Sequence, residues 1–258
     1  MSQWSFRGTA LDDLGIVTLV SDSLMMPAKR GDNKLIPFED GREHTRKQFE
    51  QRDMTLGLEI VEDSIAALES KMDRVKKLFG KRTLGTLAQT MEDLSVRTLQ
   101  AEYAGDLNLT RISPVSVRMA LEFIAPFPFF RGDTLVSDAQ IIDESPFEYT
   151  LTNPGTADER APKIILTGPL ENVTITNTTN DVSLSYNAAI ASPRVVTIEK
   201  IGKDYSVTDD LGANMIGNVS HSGDAALFVL EADENELSVT DELAAGGTVT
   251  VEFYPPYL

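Results

Sequence analysis

The sequence predicts a mainly β protein in two domains: an α+β N-terminal domain with one helix, residues 1–132, and an all-β sandwich, residues 133–258. Three observations lead there. A single stretch, residues 64–79, repeats apolar residues at the three-and-four spacing of an amphipathic helix. From Asp133 onward no helix is signalled, and short strand-like segments alternate with turn-rich gaps. Between the two regimes, Ala125-Pro126-Phe127-Pro128-Phe129-Phe130-Arg131-Gly132 ends a strand with two prolines, and its aromatics are expected to plug a junction.

Taken in order, residues 6–19 read as two short strands split by a turn at Asp12 and Asp13, with Gly8 and Gly15 at the edges. Residues 27–41, rich in Gly, Pro, Asp and Asn, read as a loop or extended arm. Residues 52–61 read as a strand with Met54, Leu56, Leu58 and Ile60 on one face. The helix follows. Asp63 or Ser64 caps it, Ile65, Leu68, Met72, Val75 and Leu78 form its apolar stripe, and Asp73 pairs with Lys77 four residues on. Lys76 and Lys77 suit the negative end of the helix dipole, and Gly80 supplies the stop. Residues 94–103 and 114–124 are further strands, the second presenting Val115, Val117, Met119, Leu121 and Phe123 together. The second domain offers strands at 135–142, 147–152, 163–167, 173–177, 182–187, 194–200, 226–230, 236–240 and 248–253, with Asn153-Pro154-Gly155 as a turn. Many short strands at this spacing predict a β-sandwich.

Composition narrows the function. With 23 basic and 40 acidic residues the formal charge is −17, the opposite of a nucleic-acid grip. An acidic wall repels DNA and lets it slide; the plainer reading is that the charge maintains solubility. There is no cysteine, so disulfides and thiolate metal sites are excluded. Residues 1–10 lack a signal-peptide pattern, and the most apolar short stretch, residues 123–130, is too short for a bilayer span. The expectation is synthesis and folding in a cytoplasm, with no membrane anchor. The sequons at Asn108, Asn172, Asn177 and Asn218 are then strand and turn sequence, not glycan sites.

No catalytic, cofactor or metal residue is assigned. The two histidines, His44 and His221, come from opposite halves, and a zinc site would need both with added carboxylates. Ser220-His221-Ser222-Gly223-Asp224 holds triad residue types, but sequence neighbours rarely meet the geometry a triad needs. Gly80-Lys81-Arg82-Thr83 resembles the end of a phosphate loop, yet Val75 stands where the upstream glycine belongs. Glu231, Asp233, Glu234 and Glu236 lack the glycine and the spaced final Glu of a calcium loop. For sugar binding, the only Trp, Trp4, lies in the other half. Tyr186, Tyr205, Phe228 and Tyr254 remain, each equally a core or a strand-face residue.

The element order is similar to that of the distal tail protein family of siphophages. The resemblance runs through Trp4-Ser5-Phe6-Arg7-Gly8-Thr9, Leu14-Gly15-Ile16, Met26-Pro27-Ala28-Lys29-Arg30-Gly31-Asp32-Asn33 and Ile36-Pro37. The strand and helix follow, then the Pro-aromatic corner, then Asn153-Pro154-Gly155-Thr156 and Ala161-Pro162-Lys163-Ile164-Ile165-Leu166-Thr167-Gly168-Pro169. Residues 42–52 depart from the family pattern. It covers nearly the whole chain, and its most specific part is the corner with the two stretches after it. The resemblance implies a non-enzymatic virion protein without cofactors, assembled in the host cytoplasm. Six copies of the first domain would close head to tail into a ring, and closure needs two different patches per subunit. The ring would join the tail tube protein to the tail hub, with tape-measure and receptor-binding proteins nearby. Genomic DNA would pass through its lumen, which an acidic lining would suit. Galectin-like sandwiches would point outward. A carbohydrate-binding module for host adhesion is the alternative, and a two-carboxylate hydrolase of cell-wall sugar a third.

Overall fold

The computed structural model describes residues 3–21, 26–31, 34–35, 42–43, 48–106, 109–201, 204–222 and 228–258. The chain divides into two compact units, Met1–Asp133 and Thr134–Tyr257.

The first unit contains β1 (Gln3–Phe6), β2 (Thr9–Ala10), β3 (Ile16–Ser21), β4 (Lys29–Arg30), β5 (Lys34–Leu35), β6 (Arg42–Glu43) and β7 (Gln48–Phe49). It continues with β8 (Arg52–Val61), α1 (Ile65–Phe79), β9 (Gly85–Thr90), β10 (Val96–Tyr103), β11 (Leu109–Ser113), β12 (Ser116–Ala125) and β13 (Phe130–Gly132). Its main sheet runs β2-β1-β9-β10-β12-β8-β3, with β11 added beside β12 and β13 beside β10. Asp12 and Asp13 lie in a 3-10 turn, Leu11–Asp13, ahead of β3. From the expected arm, residues 27–41, β4 pairs with β7 and β5 with β6, both antiparallel, the partner strands lying just after it.

The long strand forms as its alternation dictates. Met54, Leu56, Leu58 and Ile60 of β8 are all buried. Phe123, Leu121 and Met119 of β12 stand opposite Met54, Leu56 and Leu58 in register. Helix α1 lies over this face. The Ser64 side chain caps it, accepting the Ala67 N–H at 3.2 Å. Its buried line is Leu68, Met72, Val75 and Phe79, spaced four, three and four residues apart. Ile65 is instead 49% exposed and Leu78 only half-buried, because both lie at the margins of that line. The Phe79 ring meets Phe6 at 5.6 Å, Tyr103 at 4.9 Å and Phe123 at 6.1 Å. Each fully buried side chain of this kind contributes about 1.5–3 kcal/mol. Asp73 pairs with Lys76 at 3.1 Å, one residue short of the expected Lys77. Gly80 closes the helix in a right-handed conformation, φ −71°. At the corner Phe130 is buried beneath the Arg52 guanidinium and Phe129 packs edge-on against Phe49, but Phe127 is 67% exposed and plugs nothing in its unit.

The second unit is a sandwich. It comprises β14 (Val136–Ile142), β15 (Phe147–Asn153), β16 (Lys163–Thr167), β17 (Leu170–Asn177) and β18 (Val182–Ile190). The remaining strands are β19 (Val195–Ile201), β20 (Asp204–Asp209), β21 (Val219–Ser222), β22 (Asp233–Thr240) and β23 (Gly247–Phe253). One sheet runs β14-β23-β16-β19-β20, the other β15-β22-β17-β18-β21. Inward residues from both, among them Ile164, Val196 and Val251 from one and Ile175, Leu184 and Val239 from the other, form one core. The strand expected at 226–230 does not form over its described part. Phe228 and Leu230 enter the core there on a loop, which a bridge from Leu230 to Glu159 ties to the rest of the unit; residues 226–227 lie outside the described residues.

Three buried asparagines tie this unit's loops together. Asn177 Nδ2 donates to Asn235 Oδ1 at 2.8 Å and to the Val229 carbonyl at 2.9 Å. Asn235 Oδ1 also accepts the Glu231 N–H, and its amide nitrogen donates to the Glu231 and Asp233 carbonyls. Asn153 Nδ2 donates to the Ala157 and Glu231 carbonyls, while its oxygen accepts the Gly155 N–H, which makes the Asn-Pro-Gly turn. No described helix is long and apolar enough to cross a membrane.

Candidate functional site

Among the described residues, those with catalytic potential are not brought together. His221 lies exposed on β21, and its neighbours project to the other face of that strand. There Ser222 Oγ is 2.7 Å from Ser183 Oγ, and Ser220 Oγ accepts from Asn187 at 3.0 Å. Both hydroxyls serve the sheet. Gly223, Asp224 and His44 lie outside the described residues.

The acidic run surrounds the asparagine anchor. Glu236 Oε1 accepts the Thr150 hydroxyl at 3.0 Å, and Asp233 holds a left-handed backbone, φ 73°. Among the described residues, no three His, Asp or Glu side chains are placed to share a metal ion. Gly80-Lys81-Arg82-Thr83 follows the C-terminus of α1, whereas a phosphate loop works through a helix N-terminus. Of the sequons, Asn177 is buried and hydrogen-bonded in the core, Asn172 donates to Glu242 at 2.9 Å and Asn218 ends a 3-10 turn; Asn108 lies outside the described residues.

The candidate sugar-stacking aromatics split. Tyr186 and Phe228 are core residues, each 1% exposed, as is Trp4 at 3%. Tyr205 is half-buried on β20 with Lys200 Nζ 5.8 Å from its ring, and Tyr254 is exposed. The two surviving rings stand on different segments and form no described platform. Burial, reinforced by the Asp138 carboxylate, holds the Tyr149 phenol well above its usual range. It therefore stays protonated at neutral pH.

Charge is divided unevenly between the units. Residues 1–133 hold 18 Lys and Arg against 20 Asp and Glu, a formal −2; residues 134–258 hold 5 against 20, a formal −15. The overall −17 is thus almost wholly the sandwich's. It cannot be taken as evidence for an acidic lumen built from the first unit.

Reading the sequence for motifs misses one constellation in that unit. Arg7, Thr9, Leu14, Arg74, Lys77, Leu78 and Lys81 line a cleft of about 320 Å³. Arg74, Lys77 and Leu78 recur at i, i+3 and i+4, so the helical period places them on one side of the last turns of α1, and Lys81 follows just past the Gly80 cap. The positive residue Arg7 comes from the β1–β2 turn, where it adopts φ 52° beside Gly8 at φ 78°. Its Nη2 donates to the carbonyl and hydroxyl of Thr83, which fixes the side chain.

No protein-family model matches the chain, and no curated protein matches it in sequence. Among solved structures, the SPP1 Dit protein aligns over 100% of both chains with a TM-score of 0.70 at 14% identity. It is described as a paradigm of the hub adsorption apparatus in phages that infect Gram-positive bacteria. The chain has the Dit fold. Because the alignment runs end to end, both units belong to that fold. A chain of the phage P2 baseplate, solved in an activated conformation with Ca, aligns over 98% of both chains at 7% identity and a TM-score of 0.44. That second likeness is too slight to bear on the fold.

Proposed function

We propose that the chain is a non-enzymatic structural protein of a long phage tail, closing as a homo-hexamer into a ring at the distal end. The ring joins the tail tube protein to the tail hub and leaves a channel through which genomic DNA passes. The observation that carries this reading is the end-to-end likeness to the Dit fold. Two features of the first unit support it. Ile16 stands opposite Glu59 in the β3–β8 register, and Val61 lies two residues beyond Glu59, so both share the sheet face away from the helix. They are 65% and 58% exposed, and apolar side chains left in water on a sheet face suit burial against another subunit. Leu94 is likewise 80% exposed, on the turn between β9 and β10.

The charge division refines the proposal. The channel would be lined by a nearly neutral unit, while the acidic, galectin-like sandwiches point outward and keep assembled tips apart by like-charge repulsion. Tape-measure and receptor-binding proteins are the further neighbours. Sugar adhesion finds no support in the aromatics, since half the candidates are core.

Immunogold labelling of particles with antibody against the second unit tests the placement. Gold is expected at the tail end remote from the capsid. Label on capsids, or purified particles without the chain by mass spectrometry, contradicts it.

A further inference from the structure

We infer that the basic cleft at the end of α1 docks an acidic segment of another protein chain, one that carries an apolar side chain among its carboxylates. The inference is independent of ring formation. Arg74, Lys77 and Lys81 are exposed, and none forms an ion pair or side-chain hydrogen bond among the described residues. Three cations elsewhere in the unit are paired: Lys76 with Asp73, Lys71 with Glu62 and Arg118 with Glu59. Asp12 and Asp13 lie on the turn just before Leu14, yet neither pairs with the cleft cations. The negative end of the helix dipole, worth about half a charge, offsets only a fraction of four cations.

The second observation is the apolar part of the lining. Half-buried Leu78 joins the four cations around the same hollow, and Leu14, 1% exposed, backs it from the core. A carboxylate segment with a leucine or phenylalanine satisfies both halves, whereas a phosphodiester backbone has no apolar group to place there. Scale points the same way. Duplex DNA carries one charge per about 1.7 Å and needs a long basic track, which four cations around one cleft do not supply. A short segment feels mainly the field within a screening length of about 8–10 Å. Arg7, held by Thr83, offers its guanidinium with little rotamer entropy left to lose.

The test uses the full chain and fluorescence anisotropy. The probe is a fluorescein-labelled peptide of aspartate and glutamate with one leucine and one phenylalanine. A single-stranded DNA oligonucleotide is the competing probe. The peptide should bind at about 50 mM salt and release at about 0.5 M. Lys77→Gln combined with Lys81→Gln should raise its Kd about fivefold to tenfold. Lys76→Gln, on a side chain already paired with Asp73, should leave it within about twofold. Both variants alter exposed side chains, and an unchanged melting temperature verifies their folding. No peptide binding, an unchanged Kd in the double variant, or tighter binding of the oligonucleotide would each overturn the inference.

Discussion

Replacing Asn235 by alanine removes the hub that joins three loops of the sandwich. In the wild-type chain the Asn235 oxygen accepts from Asn177 Nδ2 and the Glu231 N–H, both at 2.8 Å, and its amide donates to the Glu231 and Asp233 carbonyls at 3.0 and 3.1 Å. Some of these groups retain another partner: Asn177 still reaches the Val229 carbonyl, and the Glu231 carbonyl still accepts from Asn153. The Glu231 N–H and the Asp233 carbonyl lose the bond Asn235 supplied. Asp233 is exposed, so water replaces the bond to its carbonyl, whereas the part-buried Glu231 N–H left unmatched costs about 1–3 kcal/mol, and the void adds to this. The expected loss is about 3–5 kcal/mol, which at ordinary urea sensitivity lowers the sandwich midpoint by about 2 M. Urea unfolding reads this with two reporters. The only Trp, Trp4, lies in the first unit, while Tyr149, Tyr186, Tyr205, Tyr254 and Tyr257 lie in the second. The tyrosine transition should move. A loss below about 0.5 kcal/mol, the range of a neutral surface change, would refute the hub assignment.

Further predictions concern single features. Ser64→Ala should cost about 1 kcal/mol by removing the α1 cap, and Ser64→Asp, which can also cap, should recover most of it in thermal melts. Gly155→Ala should destabilise the sandwich by at least about 1–3 kcal/mol, because a Cβ there would stand 2.2 Å from the Pro256 carbonyl oxygen; equal urea midpoints would contradict this packing. Asp209 has its pKa held below the ordinary carboxylate value by the Ala213 N–H, then the Leu211 N–H and Arg194. A depressed folded pKa contributes stability above the unfolded value of about 3.9, lost as pH falls through the folded one. Asp209→Asn should therefore be less stable than wild type at pH 7, with the gap closing below about pH 4; a constant gap would contradict it.

The elements legible in the sequence were those with water on one face and core on the other. β8 spans the expected residues because Met54, Leu56, Leu58 and Ile60 alternate without interruption. Ser64 and the helical period likewise announce α1, though Phe79, beyond the stripe as first read, supplies its main ring contacts. β9 is easily overlooked because its buried positions are Gly85, Leu87 and Gln89, only one of them a large apolar side chain. β11, β20 and β21 leave little trace for another reason. They are outer strands with few buried side chains, so the period-two signal vanishes. The Asn153, Asn177 and Asn235 anchor is hidden because a turn, a sequon and an acidic run read as surface chemistry. The basic cleft combines a turn at Arg7 with a helix end more than sixty residues later, a juxtaposition that only the fold makes.

The central claim, a ring-forming structural protein, is tested most directly by the mass and symmetry of the purified chain. Light scattering on the size-exclusion peak, with cryo-electron microscopy of the same fraction, gives both. A hexamer of a 28.3 kDa chain has a mass of about 170 kDa, and sixfold class averages with an open centre are the predicted result. A monodisperse 28.3 kDa monomer at high concentration, with no sixfold density at the tail tip of intact particles, would contradict it.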